Sequence, residues 1–474
     1  MDATRVDTAS RALEHLIEGR RVSRKQFLER SGAAALAVSA GPLLAACGGG
    51  GGGGGTTGGN KQLKILQWSH FVPRYDTWFD SYAKQWGSDN GVNVVVNHID
   101  LADLGARTTA EISAGSGHDL IELLSPPSAF EPSVHDLSDL AKKATNRFGT
   151  QTGLCTKSTF NPTTGKHYGF CHGWVPDPGD YRKSEWQKVG MPNGPASWDD
   201  LLKGGTQIKQ QQNVRMGIGM SQEIDSNMAA RALIWAFGGS VQDANENVVI
   251  NSPEVISAVE YMVKLFKSTM TDEVFSWTAA SNNEGLISGE LSYILNSISA
   301  YRSAQSDSPD VADDVFFTKA LNGPGGQSVV SAHVIPIYIA PKFSKNLDTA
   351  QQFMLDLVKN YSDAVYNSEL YNFPAFPSTA PKLNGWLQKD PFKSKPDTKL
   401  SVLQDAEQWS TNVGHPGSAN AAIGEVFGTF ILPNMLASAV RGKASPKDAV
   451  ASAESQIQTI FAKWRKKGLV GGTS

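Results

Sequence analysis

Eight consecutive glycines at 48–55 divide this chain into two parts with different constraints. A stretch without side chains has no apolar surface to bury and a large backbone entropy to lose on ordering. Residues 48–60 are therefore expected to be a tether with a reach of roughly 20 Å. Whatever folds around a large core lies after Asn60, and whatever precedes Gly48 reads as an address.

The leading segment has the layout of an export leader. Residues 1–31 are polar and carry the basic stretch "RRVSRKQFLERSG". Residues 32–46, "GAAALAVSAGPLLAA", are apolar and uncharged, too short to span a bilayer and suited to a signal-peptide core. Ser23 to Leu28 resembles the twin-arginine export motif, with Lys25 where the second arginine belongs; general secretion is the alternative. Leu44-Ala45-Ala46-Cys47 resembles a lipobox, in which small residues admit the peptidase and the thiol takes up diacylglycerol. On that reading residues 1–46 are removed and Cys47 begins the mature protein. Its acyl chains would then hold a globular body at the outer face of the cytoplasmic membrane.

That use of Cys47 changes the cysteine arithmetic. Cys155 and Cys171 remain, and an even remainder in an oxidising compartment is expected to pair as a disulfide. A metal reading would add His167 and His172 to that pair, but no Cys-x-x-Cys spacing supports it, so no metal or cofactor is expected. Lys and Arg number 43 against 46 Asp and Glu, a net charge of -3 that supplies no field for a polyanion. Nucleic acid is accordingly not an expected partner. Catalytic signatures are missing as well. The sequence has no Gly-x-Ser-x-Gly and no His-Glu-x-x-His, and "LNGPGGQS" lacks the Gly-Lys-Ser/Thr ending of a phosphate loop. An exported glycoside hydrolase would need two paired carboxylates; Glu122, Glu131 and Asp177 are available, but no spacing singles out a pair.

From Lys61 onward apolar periodicity sets the organisation. "LKILQWS" predicts a strand and "YDTWFDSYAKQW" a helix, with Trp78 and Trp86 expected in the core. Asn90-Gly91 marks a turn into a second strand, "VNVVVNHI". "EISAGSGHDLIELL" then passes through glycines into a third strand. This alternation predicts an α/β fold with a largely parallel sheet. Ser197 and Ser252 are expected helix N-caps, the second followed by Pro253 at the first helical position. "VVSAHVIPIYIAP" reads as strand, "LDTAQQFMLDLVKNY" as helix, and two helices are expected around 424–441 and 446–466.

These pieces stand in a recognisable order. "LQWSHF", "YAKQWGSDNGVNVVV", "AGSGHDLIEL", "YRKSEWQKVGMPNGPASWDDLL", "RALIWAFGG", "NSPEVISAVEYM", "GELSYILNSISAY" and "VRGKASPKDAV" together resemble the maltodextrin-binding-like family of extracellular solute-binding proteins of ABC importers. The resemblance covers nearly all of 61–474. It implies a two-lobed periplasmic-binding-protein-like fold of type II, with a hinge crossed near Phe170–Trp174, Phe317–Pro324 and Leu370–Phe376. One lobe would comprise 61–170 plus 325–372, the other 175–318 plus 377–474. "YGFCHGWVPDP" departs from the proline-containing segment that many members carry at the first crossing.

The resemblance further implies a monomeric, non-enzymatic protein that captures a small solute, expected to be a sugar or oligosaccharide, and docks on permease subunits. Polyamines and other polar solutes share the architecture. Expected ligand-binding residues are Trp68 and His70 after the first strand, Asp119 after the glycine loop, and Trp174 and Asp177 after the first crossing. Asn296 and Tyr301 follow "ILN", while Ser299 falls where some members place a stacking Trp. Tyr371, Asn372 and Phe373 sit at the third crossing, and Trp409 and His415 precede the last helices. Trp235 and Trp277 read equally well as core or as site.

Overall fold

A computed structural model describes residues 61–473 apart from Gln327. The expectations of an export leader, lipidation at Cys47 and a glycine tether lie outside the described residues. Among the described residues no single helix is long and apolar enough to cross a membrane.

The first strand, Lys61–Trp68, pairs in parallel with Val92–Ile99 along its whole length and with Leu120–Leu123 on its other side. Leu63, Ile65, Leu66, Gln67 and Trp68 are all buried, as befits a strand covered on both faces. Between these strands run the helices Pro73–Asn90 and Leu101–Ala114, each closed by a left-handed glycine, Gly91 and Gly115. Ile337–Ile339 then joins antiparallel to Leu120–Leu123, and Phe170–Cys171 closes the edge of a five-stranded sheet. A second sheet of four strands has the order Val315–Thr318, Gly179–Arg182, Leu291–Leu295, Arg215–Gly217. Its first two pairings are antiparallel and only the last is parallel. The expectation of a largely parallel sheet therefore holds for the opening strand–helix repeat alone. Ile337–Ile339 and Gly179–Arg182 each enter their sheet after a passage from the other, and they run antiparallel to their neighbours.

The helices form where caps and periodicity predict them. Ser197 Oγ accepts from Asp200 N at the start of Trp198–Gln212, and Ser252 Oγ accepts from Val255 N before Pro253–Thr269. Trp86 is buried against Phe353 with its indole N–H on Asp356, and Trp78 is half-buried over Tyr75 and Tyr82. Trp235 is buried, and Trp277 is half-buried where a side chain on Gly217 would strike it.

Two expected elements are broken. The strand foreseen through "VVSAHVIPIYIAP" survives only as Val330–Ser331 and Ile337–Ile339. Between them Pro336 has no N–H for a ladder, and the His333 side chain is drawn away to Asp177. The helix foreseen over 424–441 splits into Ala421–Gly428 and Ile431–Val440, with Phe430 at φ 54° in the break.

The chain moves from the five-stranded to the four-stranded sheet over 172–178 and returns over 319–336. It leaves a third time after the helix Tyr361–Asn367, which packs on Pro73–Asn90, for C-terminal helices that pack on Ile224–Ala236 and Pro253–Thr269. Phe373–Pro374 pairs antiparallel with Gly173–Trp174, so the third passage lies beside the first. Gly173 sits in that pairing with no room for a Cβ, which would collide with the Tyr361 hydroxyl and the Phe373 carbonyl.

Candidate functional site

The three passages between the sheets bring polar side chains into a buried junction. From the first comes Asp177, whose Oδ1 is 3.0 Å from His333 Nδ1, and His333 belongs to the second. The His333 Nε2 lies 3.7 Å from Asp225 Oδ1, at the N-terminal turn of the helix Ile224–Ala236. Tyr371, from the third passage, sets its ring edge-on to His333 at 6.5 Å and to His70 at 5.0 Å. His70 follows the first strand, stacks on Tyr75 at 4.5 Å, and reaches Asn372 Oδ1 through Nε2. Trp68 leans on the His70 ring at 4.8 Å. Strand ends and passages meet here because each is the terminus of a rigid element, and both sheets supply some.

The four-stranded side adds amides and hydroxyls. Asn282 donates to Asp225 Oδ2 at 2.7 Å, while Asn296 bonds Asn283 and accepts from Ser297 N. Ser297 and Ser299 exchange a hydrogen bond at 3.1 Å, and Asn283 reaches the Ser299 hydroxyl. Glu223 caps the helix, taking Asp225 N and Ser226 N. A serine at 299 leaves a hydrogen-bonding wall where a tryptophan would leave an aromatic one.

Electrostatics distinguish this cluster from ordinary core. Burial alone would lower His333, but its bond to Asp177 and the charges of Asp225 and Glu223 raise it above the usual histidine value. Asp225 is pushed up to about 6, first by burial, with His333 opposing and Asp177 adding to the rise. Glu223 is pushed up to about 8 by burial and by Asp225. Asp180, also fully buried, is raised by burial and by Asp177. His70 is driven the other way, down to about 3, by burial, so it is a neutral ring. Asp177 Oδ2, Asp225 Oδ1, both Asp180 oxygens and the Tyr371 hydroxyl have no hydrogen-bond partner in the protein. Such groups are costly to bury unless something else meets them.

The junction therefore brings together Trp68, His70, Asp177, Asn296, Tyr371 and Asn372 from the residues that sequence reasoning selected. Trp174 and Phe373 pack edge-on on each other at 5.2 Å and face a cleft of about 190 Å³ lined by Pro377, Leu383 and Leu403. Four others lie elsewhere. Asp119 has both oxygens occupied, by Lys64 N on one side and by Ser344 Oγ and Asn346 on the other. It fastens the first strand to a loop. Tyr301 donates to Ser394 beside the buried Arg302–Asp390 pair, Trp409 donates to Asp405, and His415 packs against Trp235. His333, Asp225, Glu223 and Asn282 were not foreseen. His333 had a sequence signal, a polar residue inside the apolar run "VVSAHVIPIYIAP", whereas Glu223, Asp225 and Asn282 lie in polar stretches that gave none.

Cys155 and Cys171 are free thiols, correcting the expected disulfide. Both sulfurs turn to the Gly173 carbonyl, at 4.0 Å and 3.0 Å. Burial and the neighbouring Cys155 push the Cys171 thiol up, which disfavours the thiolate that exchange requires. His167 packs on Phe160 while His172 binds Glu122, so the cysteine–histidine metal set does not assemble. Glu122, Glu131 and Asp177 bind His172, Asn161 and His333 respectively, in three separate places and not as a hydrolytic pair.

Comparisons with known proteins agree with this architecture. Residues 78–393 match the family model for bacterial extracellular solute-binding protein. Among solved structures, maltose-bound MalE3 of T. maritima superposes with a TM-score of 0.69 at 18% identity, covering 84% of this chain and 99% of that one. A ribitol complex of an ABC transporter solute-binding protein from Agrobacterium radiobacter gives 0.69 at 17% identity, covering 85% of this chain and 99% of its own. A sugar transporter of Arthrobacter chlorophenolicus with bound laminaribiose gives 0.69 at 16%, covering 84% and 99%. These establish an α/β periplasmic-binding-protein-like fold. Curated relatives in Brucella abortus and Brucella suis, named only as binding proteins, are 27% identical over 93 residues, 19% of this chain, and the chain spans 22% of their length.

Proposed function

Because this chain belongs to the bacterial extracellular solute-binding protein family, we propose that it captures a small polar solute of the sugar class and hands it to the permease of an ABC importer. The observation that carries this reading is the convergence of all three inter-sheet passages on one buried junction with unpartnered polar atoms. A solute seated there touches both sheets at once, and such a ligand favours the closed arrangement of two bodies over the open one. The two bodies are 61–170 with 325–372, and 175–318 with 377–474. Asn282, Asn283, Asn296 and the serines offer paired donors and acceptors for hydroxyls, and Trp68 and Tyr371 offer rings for an apolar sugar face. Export with Cys47 lipidated would keep the body beside its permease. The solved relatives described with maltose, ribitol and laminaribiose support the sugar class.

A thermal-shift panel of mono- and oligosaccharides, polyols and polyamines against the full chain tests the reading. A bound solute raises the melting temperature by mass action, so a hit should shift it by several degrees at saturating concentration. A flat response to every sugar with a clear shift from another solute would overturn the sugar class. A flat response to all would count against capture itself.

A further inference from the structure

The charges at the junction do not balance. Asp177 and Asp225 flank one histidine, and each keeps an oxygen without a protein partner while being no more than 7% exposed. His333 Nδ1 lies 3.0 Å from Asp177 Oδ1, while Nε2 faces Asp225 Oδ1 at 3.7 Å, beyond hydrogen-bond reach, so that oxygen stays without a partner. The acids on both sides raise the ring above the usual histidine value and so favour its charged form, which offers no lone pair to a metal ion. One positive charge then faces two carboxylates. Asp180 lies close by, also buried and without partners, and Glu223 caps the helix behind Asp225. The other ionisable neighbours, Tyr293 and Tyr371, carry no positive charge, and His70 is neutral. Independently of the acids, the fully buried Tyr371 hydroxyl faces the Ser297 side chain without a hydrogen bond of good geometry, and its ring stands edge-on to His333.

We propose that the captured solute carries a protonated amine, seated between Asp177, Asp225 and the Tyr371 hydroxyl. An ammonium has three donors, enough for the free carboxylate oxygens and the phenol, and its charge cancels the excess that the imidazolium leaves. Neighbouring asparagines and aromatic rings would hold whatever frame bears the amine, a hydroxylated ring or an aliphatic chain. The inference rests on solute capture at this junction and narrows its chemistry. Asp225 and Glu223, both raised, should ionise fully when the amine arrives, so binding should release protons near pH 7 and strengthen as pH rises from 5.5 to 8.

The test uses matched pairs differing only in charge: glucosamine against glucose, and putrescine against 1,4-butanediol, each titrated calorimetrically into the full chain. The amine of at least one pair should bind at least tenfold more tightly than its neutral partner, and the pair that responds identifies the frame. Asp177→Asn and Asp225→Asn should bring that ratio to within about threefold of unity. Repeating the titration in buffers of different ionisation enthalpy should show proton release, a readout that needs no variant. A neutral partner binding as tightly as its amine, or no response to either amine, would overturn the inference. Tight glucose binding with closure seen by small-angle scattering would overturn it while leaving solute capture standing.

Discussion

His172 and His333 are both buried, both within 3.0 Å of a carboxylate, and both lie in passages between the two sheets. His172 faces a single acid, Glu122, and its ring stacks on Tyr338, whose hydroxyl donates to Gln67. These residues come from the five-stranded sheet and the passage that leaves it. His333 instead faces two acids, one from the passage out of the first sheet and one from a helix beside the second. One histidine meets one acid beside a single sheet. The other meets two acids drawn from elements of both sheets.

The largest effect is expected at the His172–Glu122 pair. His172→Ala leaves Glu122 buried without its partner, and should lower unfolding free energy by about 3–5 kcal/mol in urea titration. Solute affinity of the folded fraction should stay within about twofold of wild type. An affinity loss as large as the stability loss would erase the distinction between the two histidines. Asp225→Asn should do the reverse. A carboxyl whose folded value is raised to about 6 loses stability as pH climbs from its unfolded value near 4, and the cost is complete above about 6. The substitution should therefore stabilise the solute-free protein by about 1–3 kcal/mol at pH 8 and by almost nothing at pH 4. Equal gains at both pH values would mean that the charge is already compensated. The smallest effect is expected at Cys171→Ser. A hydroxyl can replace the thiol at the Gly173 carbonyl, so the loss should stay below about 1 kcal/mol. A loss nearer the roughly 3 kcal/mol of a broken disulfide would restore the pairing with Cys155.

Much of the scaffold was legible because it rests on local periodicity. "VNVVVNHI" is the strand Val92–Ile99, and Ser197 and Ser252 cap the helices they precede. The junction was legible only in part. Trp68, His70 and Asp177 follow elements whose ends could be placed from sequence, and they do arrive there. Asp119 looked the same in sequence, an acid after a glycine loop, yet its oxygens close on the Lys64 backbone and the Ser344 loop. The loop itself is a clasp: Gly117 has φ 151°, and a side chain there would meet the Glu111 carboxylate, which binds His118.

The sequence by itself determined the α/β repeat and the helix caps, because each depends on residues within a turn or two of one another, and the order of those pieces along the chain pointed to extracellular solute-binding proteins. Only the tertiary structure decided which acids face a histidine and which face backbone, because those partners lie far apart in the chain, 156 positions for Asp177 and His333. Charge balance in a buried site is a sum over neighbours, and the fold selects the neighbours.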